Sequence, residues 1–153
     1  ALMGFIMRPI TVTRDSYNNI MANGSFSFNH LNAGIIKKAH QTSARYPEDI
    51  SEFEAVGLTP EFSPQLKAPY VRESQVKMGL SFVEKKEIEL NGTILIIGKV
   101  EEIFFPSDCL YEDGYLDIEK AGSITVSGLD TYHSTRRHSR LSYAKPDKPL
   151  QEL

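Results

Sequence analysis

Val76-Lys77-Met78-Gly79-Leu80-Ser81-Phe82, then Asn91-Gly92, then Thr93-Ile94-Leu95-Ile96-Ile97-Gly98-Lys99-Val100 is the stretch that decides the fold. Val76, Met78, Leu80 and Phe82 alternate with Gln75, Lys77, Gly79 and Ser81. Successive strand side chains point to opposite faces, so this is a strand with one dry and one wet face. Asn-Gly is the strongest short hairpin signal, because both residues enter positive φ at low cost. Thr93 to Val100 reads as a buried return strand. It continues through Glu101-Glu102-Ile103-Phe104-Phe105, where the apolar pattern breaks and a bulge or twist is expected. Charged residues fill Glu84 to Glu89, between the first strand and the turn.

Upstream, the apolar run Leu2 to Met7 ends at Arg8-Pro9 and reads as a buried strand. Thr13, Asp15 or Ser16 can cap a short helix with Tyr17, Ile20 and Met21 inward, stopped by Asn23-Gly24. Ser25-Phe26-Ser27-Phe28-Asn29-His30 alternates and reads as a half-buried strand. Asn32 is placed to cap a second helix running to about Ser43, with Ile35, Ile36 and Ala39 inward. A Pro47-Glu48-Asp49 corner follows. Residues 59–73 hold Pro60, Pro64 and Pro69 and read as a long surface loop. A turn at Asp117 to Lys120 leads to a strand at Ile124-Thr125-Val126. Short strands, long hairpins and a few small helices predict a mainly β chain, a barrel with helices packed outside.

At 153 residues the chain has the size of one domain, placed at 1–148 with 149–153 as a tail. Apolar content of 41% and charged content of 24% are those of a globular protein. A net charge of −3 gives no general attraction to nucleic acid or to an anionic membrane. No apolar run is long enough for a spanning helix, and Arg8-Pro9 interrupts the first one too early for a signal peptide. The single cysteine, Cys109, excludes an internal disulfide framework. A cytoplasmic setting is the default expectation. His30, His40, His133, His138 and Cys109 do not fall at zinc spacing, so no metal site is expected. Neither GxGxxG nor a P-loop is present.

Charge is unevenly placed. Glu101, Glu102, Asp108, Glu112, Asp113, Asp117 and Glu119 crowd one stretch. Arg136, Arg137, Arg140, Lys145 and Lys148 crowd the tail. Two readings stay open: a solvated acidic loop beside a solvated basic tail, or a basic segment that meets a phosphate.

Ser51-Glu52-Phe53-Glu54-Ala55-Val56-Gly57-Leu58-Thr59-Pro60 has capping-box spacing between Ser51 and Glu54 and a glycine stop at Gly57. Phe53 and Val56 share a face. With Ala68-Pro69-Tyr70 downstream, this segment resembles the "SEFE-x-x-GLT…AP" stretch of the flavin reductase-like family of FMN-binding split barrels, which includes the flavoredoxins. Three further stretches carry the resemblance: Leu2-Met3-Gly4-Phe5 through Arg14-Asp15-Ser16-Tyr17-Asn18-Asn19-Ile20; Phe26-Ser27-Phe28-Asn29-His30; and the strands around Asn91-Gly92. The tail at Gly128 to His133 and Arg140 to Pro146 is similar to one bacterial subgroup.

The resemblance implies a split β-barrel, an FMN cofactor, NAD(P)H as electron donor and a homodimer. In the family, earlier strands and a Ser/Thr-rich loop precede the strand that matches Leu2–Met7, so this chain reads as shortened at its N-terminus. On that frame Arg8, Arg14 and Ser16 are candidates for the flavin phosphate, since guanidinium, hydroxyl and a helix start suit a phosphate. Each can equally be a solvated arginine or a capping serine. Asn29 can bond a flavin edge or tie down a loop. Tyr132 and His133 match a late aromatic position near the ring and nicotinamide, or are a packed tyrosine and an exposed histidine. Hydride transfer to flavin needs no acid–base triad from the protein, because the cofactors carry the chemistry. No catalytic residue is therefore assigned. The function expected is electron transfer from NAD(P)H through FMN to an acceptor. The alternatives are a non-catalytic flavoredoxin-type carrier and a truncated, cofactor-free relative.

Overall fold

A four-stranded antiparallel sheet of order β1-β6-β5-β2 organises the computed structural model, which describes residues 1–153. Its centre is the expected hairpin, β5 (Lys77–Ile88) and β6 (Thr93–Phe104). The charged stretch 84–88 extends β5 to meet β6, with Ile88 opposite Thr93 and Gly92 at φ 70° in the turn. The expected bulge lies at Glu101: Gly79 pairs with Glu102 but Leu80 with Val100, which leaves Glu101 extra on β6. A second shift leaves Val83 extra on β5. Bulges bend a strand and increase its twist.

Strand β1 (Leu2–Met7) pairs with β6 and forms one sheet edge. Its expected burial is corrected: Leu2, Met3 and Ile6 are 65, 38 and 55% exposed. An edge strand is covered by a partner on one side only, so the run is apolar but mostly not enclosed. Strand β2 (Ser25–Asn29) forms the other edge against β5.

Helix α1 (Asp15–Asn23) packs on this sheet and ends at Gly24, φ 68°. Ile20 is buried with Met7, Phe26, Leu80, Ile94 and Ile96, and Tyr17 and Met21 pack around them. Phe5, Phe26 and Phe28 stand edge to face, their centroids 5.5 to 5.8 Å apart. Such pairs add about 0.5–1.5 kcal/mol beyond their area. Gly98 makes room for this cluster, since a Cβ there would lie 2.5 Å from Phe26 Cζ.

The cap expectations are corrected. Arg14, not Thr13, Asp15 or Ser16, occupies the cap position of α1 and makes no capping bond. Helix α2 (Ile36–Gln41) starts after an Asn32 turn, in which Asn32 Oδ1 accepts from Gly34 N at 3.0 Å, and stops short of Ser43. The carboxamide is spent on that turn and on Glu73 O, so it is not free to cap. In α3 (Glu52–Val56), Ser51 has a cap's extended backbone but its hydroxyl makes no bond to the helix. Glu52 and Glu54 instead place negative charge in the first turn, and Gly57 at φ 69° ends the helix.

Residues 59–73 are not merely a surface loop. They contain the short pair β3 (Pro60–Glu61) and β4 (Tyr70–Val71), and Ala68 and Tyr70 are buried. Tyr70 Oη donates to Glu102 at 2.7 Å, and Ser63 shares the same carboxylate. The phenol sits 1.8 Å from where a Gly79 Cβ would be, so only glycine fits there. Burial first, and then Glu102, pushes the Tyr70 phenol far above its ordinary value. Beyond a turn at Ser107–Cys109, the hairpin β7 (Ile124–Ser127) and β8 (Thr131–Ser134) closes the described elements. No helix is long and apolar enough to cross a membrane.

Candidate functional site

The polar face of β2 builds one wall of a groove. Ser25 Oγ accepts from Ala68 N at 3.1 Å, Ser27 Oγ donates to Pro69 O at 2.6 Å, and Asn29 Oδ1 accepts from Val71 N at 3.0 Å. These residues alternate along the strand, so three successive side chains of one face hold the 68–71 backbone. The opposite residues, Phe26 and Phe28, enter the core.

Beside this wall lies a cleft of about 520 Å³ at the end of β1 and the start of α1. Arg8, Thr13, Arg14 and Ser16 line it, together with Ser43, Arg45 and Tyr46 from the α2–α3 connection. A second cavity of about 390 Å³ shares Ser16 and Glu52 with the first and adds Ser27, Asn29, Thr42 and Leu58. A third, of about 290 Å³, shares Asn29, Thr42, Leu58 and Val71 with the second and reaches Tyr132. The shared residues set the three cavities side by side in a row from Arg8 to Tyr132.

Five of the six residues singled out from sequence lie along it: Arg8, Arg14 and Ser16 together at one end, Asn29 midway, and Tyr132 at the other end. Tyr132 Oη meets His40 Nδ1 at 2.8 Å, and the two rings stand edge to face. His133 is set apart from the groove residues, with its Nε2 on Ser127 Oγ at 2.8 Å within the β7–β8 hairpin. Asn29 performs the loop-tying role, donating through Nδ2 to Ser27 Oγ at 2.9 Å while it accepts from Val71. One Nδ2 hydrogen is left over, because a carboxamide carries two donors. Nearby, His30 shares a 2.9 Å bond with Ser123 Oγ, and burial lowers its pKa.

The electrostatics of the arginine end are distinctive. None of the ion pairs in the chain involves Arg8, Arg14 or Arg45. Arg14 Nε is the one buried side-chain nitrogen or oxygen without a hydrogen-bond partner. Buried polar groups are normally satisfied, so the unpartnered Nε leaves this cleft-lining arginine with an unmet donor. Arginine matches phosphate oxygens in planar, forked geometry. Asp15 and Glu52 also line this cleft, each in the first turn of its own helix, where the helix dipole offsets part of their charge. The residues present therefore fit a phosphorylated cofactor.

The basic tail takes a different part. Arg137 reaches Asp117 at 3.3 Å and Tyr115 Oη at 3.2 Å, while Arg140 pairs with Asp113 and lies 4.1 Å over the Tyr115 ring. These two arginines are partnered by the acidic loop, so the juxtaposition of charge in the sequence is a fold contact. Sequence reasoning missed Arg45, Ser27 and Thr42. Only the last turn of α2 and the corner at Pro47 hint that residues 42–46 turn back toward α1.

Residues 1–121 match the family model of the flavin reductase like domain. A split-barrel protein from Shewanella frigidimarina with a provisional flavin reductase assignment is 41% identical and superposes with a TM-score of 0.88, covering 94% of this chain and 71% of that one. Nitrilotriacetate monooxygenase component B from Bacillus cereus shares the fold at 23% identity, TM-score 0.78, over 92% of this chain and 71% of that one. Flavoredoxin of Desulfovibrio vulgaris shares it at 22% identity, TM-score 0.71, over 94% and 74%. An uncharacterised protein from Aquifex aeolicus is 33% identical over 63 residues, which span 41% of this chain and 32% of that protein. The expected split-barrel fold class therefore holds, and the chain belongs to the flavin reductase like domain family.

Proposed function

We propose that the groove binds FMN and that the chain passes electrons from NAD(P)H through that flavin to an acceptor. The observation that carries this reading is the orphaned Arg14 Nε in a cleft with Arg8 and Ser16, at one end of a groove that runs to Tyr132. Arg14 and Ser16 would hold the phosphate oxygens, with Arg8 at the exposed rim. Asn29 would offer its remaining donor midway, and Tyr132, set by His40, would close the far end. A bound flavin would supply the hydride-accepting ring; the side chains bind, orient and shield it. Membership in the family and the 41% identical Shewanella protein support the flavin part of this reading. A homodimer and a cytoplasmic setting belong to the same proposal.

The test is an FMN titration followed by flavin fluorescence and the visible spectrum. Saturable quenching with a structured, red-shifted band is expected, and anaerobic NAD(P)H should then bleach the bound flavin. Binding without bleaching would make the protein a carrier that another donor must reduce. No binding at high protein concentration would defeat the flavin reading.

A further inference from the structure

The β7–β8 hairpin adds nothing to the buried core: of its strand residues only Ile124 and Tyr132 are half-buried, and the rest are exposed. Both of its ends are anchored, by buried Ala121 on one side and by Arg137 on Asp117 and Tyr115 Oη on the other. Between those anchors, hydrogen bonds tie it to the segment after β2 and to α2 at three places. Ile124 N donates to Leu31 O at 3.0 Å. The other two ties each use an imidazole: His30 Nδ1 with Ser123 Oγ at 2.9 Å, and His40 Nδ1 with Tyr132 Oη at 2.8 Å. His30 is half-buried and has no carboxylate to receive a charge. Glu73, on the segment beside it, spends both carboxylate oxygens on Thr59 N, at 3.1 and 3.2 Å. On α2, Lys38 donates to Gly57 O, and Lys37 lies with Asp130 and His40 in the recess beyond Tyr132. The cavity that His30 lines holds no charged side chain, and Tyr132 is its only other titratable group. Burial alone lowers the His30 pKa. An imidazolium at this place is better solvated in water than against Ser123, and it reaches water when the hairpin lifts.

We infer that the β7–β8 hairpin is an acid-released flap, latched at its root by neutral His30 on Ser123, which carries Tyr132 away from the end of the groove when that imidazole takes up a proton. The inference rests on the contacts between hairpin and body and not on which ligand the groove holds. His30 has a lower pKa in the docked state than in the lifted one. Docking is therefore complete above the ordinary imidazole value near 6.5, weakens as pH falls from there, and levels off below the docked value. Between the two values the lifted fraction rises by up to about tenfold per pH unit. Lifting removes Tyr132 from the groove while β5, β6 and the core beneath α1 keep their own bonds, because the hairpin shares no buried residue with them.

Hydrogen exchange of the full chain, read by mass spectrometry as protection factors corrected for the intrinsic rate at each pH, tests it from about pH 7.5 to about pH 5. Protection of residues 123–134 is expected to fall by about tenfold or more across that range while β5 and β6 keep theirs. His30→Gln retains a neutral hydrogen-bonding side chain and should keep the hairpin protected in acid. His138→Gln, in the exposed tail, should lose protection as the wild type does. Unchanged protection of the wild-type hairpin in acid would overturn the inference. So would the same acid loss in His30→Gln, or a loss shared equally by β5 and β6, which would be general unfolding. A proton NMR titration of the wild type gives a second readout that needs no variant. The His30 and Tyr132 ring resonances are expected to shift with one common midpoint below the ordinary imidazole value, and separate midpoints would overturn the latch.

Discussion

Replacing Arg14 with methionine should move stability and cofactor affinity in opposite directions. The side chain keeps its aliphatic stem along the cleft wall in either form. What disappears is the guanidinium, whose Nε is buried without a partner. An unsatisfied buried donor costs about 1–3 kcal/mol. Arg14 as a whole is only half-buried, so the lower end of that range applies. The cofactor-free variant is therefore expected to gain about 1 kcal/mol, a rise of roughly 2–4 °C in melting temperature for a chain of this size. Binding responds the other way. A charge-assisted hydrogen bond contributes about 1.5–3 kcal/mol, so FMN affinity should fall by about ten- to a hundredfold. Riboflavin, which lacks the phosphate, should bind both proteins alike. Differential scanning fluorimetry of the cofactor-free proteins and parallel fluorescence titrations with FMN and riboflavin provide the measurements. Equal weakening of FMN and riboflavin would refute the phosphate assignment. A loss of stability without cofactor would refute the argument from the orphaned nitrogen.

Gly79→Ala drives a methyl group against Tyr70 Oη and should destabilise by about 3 kcal/mol, from overpacking plus the lost bond to Glu102. In a Tyr70→Phe background the same change should cost clearly less, read as a non-additive urea-unfolding cycle. Burial lowers the His30 pKa, so the unfolded chain binds the extra proton first. Stability should then fall as pH drops below about 6.5 toward the folded value, and His30→Gln should flatten that slope in melts across pH 5 to 7.5. The Arg140 guanidinium beside Asp113, and the Lys120 backbone N–H on Asp117, hold those carboxyls below their ordinary range. Their contribution is present above the unfolded carboxylate value near pH 3.9 and is lost as pH falls through the lower folded values. Amide protection factors, corrected for the intrinsic exchange rate at each pH, should accordingly fall in the 108–120 loop on acidification before they fall in the β5–β6 hairpin. Ser27→Ala removes the bond to Pro69 O and should cost about 1 kcal/mol, with faster exchange at 68–71.

Much of the fold was legible because it rests on local rules. The strand at 77–82, the Asn91-Gly92 turn and the glycine stops at Gly24 and Gly57 appear as read, but the strand face read as wet is covered in part, with Gly79 buried against Tyr70 and Leu66. The caps were not, because side-chain donors and acceptors choose among competing partners: Asn32 turns to Gly34 and Glu73, leaving the helix after it uncapped by a side chain. Burial of Leu2–Met7 was overstated because periodicity reports apolar character and not what covers it. At the site, Arg8, Arg14 and Ser16 are neighbours in sequence as well as in space. Arg45 joins them only through the chain reversal after α2, a tertiary event that no local pattern encodes. Tyr132 and His133 are adjacent in β8, so they point to opposite faces: Tyr132 lines the groove, and His133 bonds Ser127.

The three seams from Ser25, Ser27 and Asn29 separate two things that most proteins bind together. A groove wall made of a paired strand cannot shift without disturbing the ladder beside it. Here the 68–71 segment is laced to β2 by side chains, while the β2 backbone answers only to β5. Changing those three residues would re-tailor the opening and leave the sheet's own hydrogen bonds in place. The opening and the sheet can therefore be altered separately, at a cost of about 1 kcal/mol for each tying bond removed.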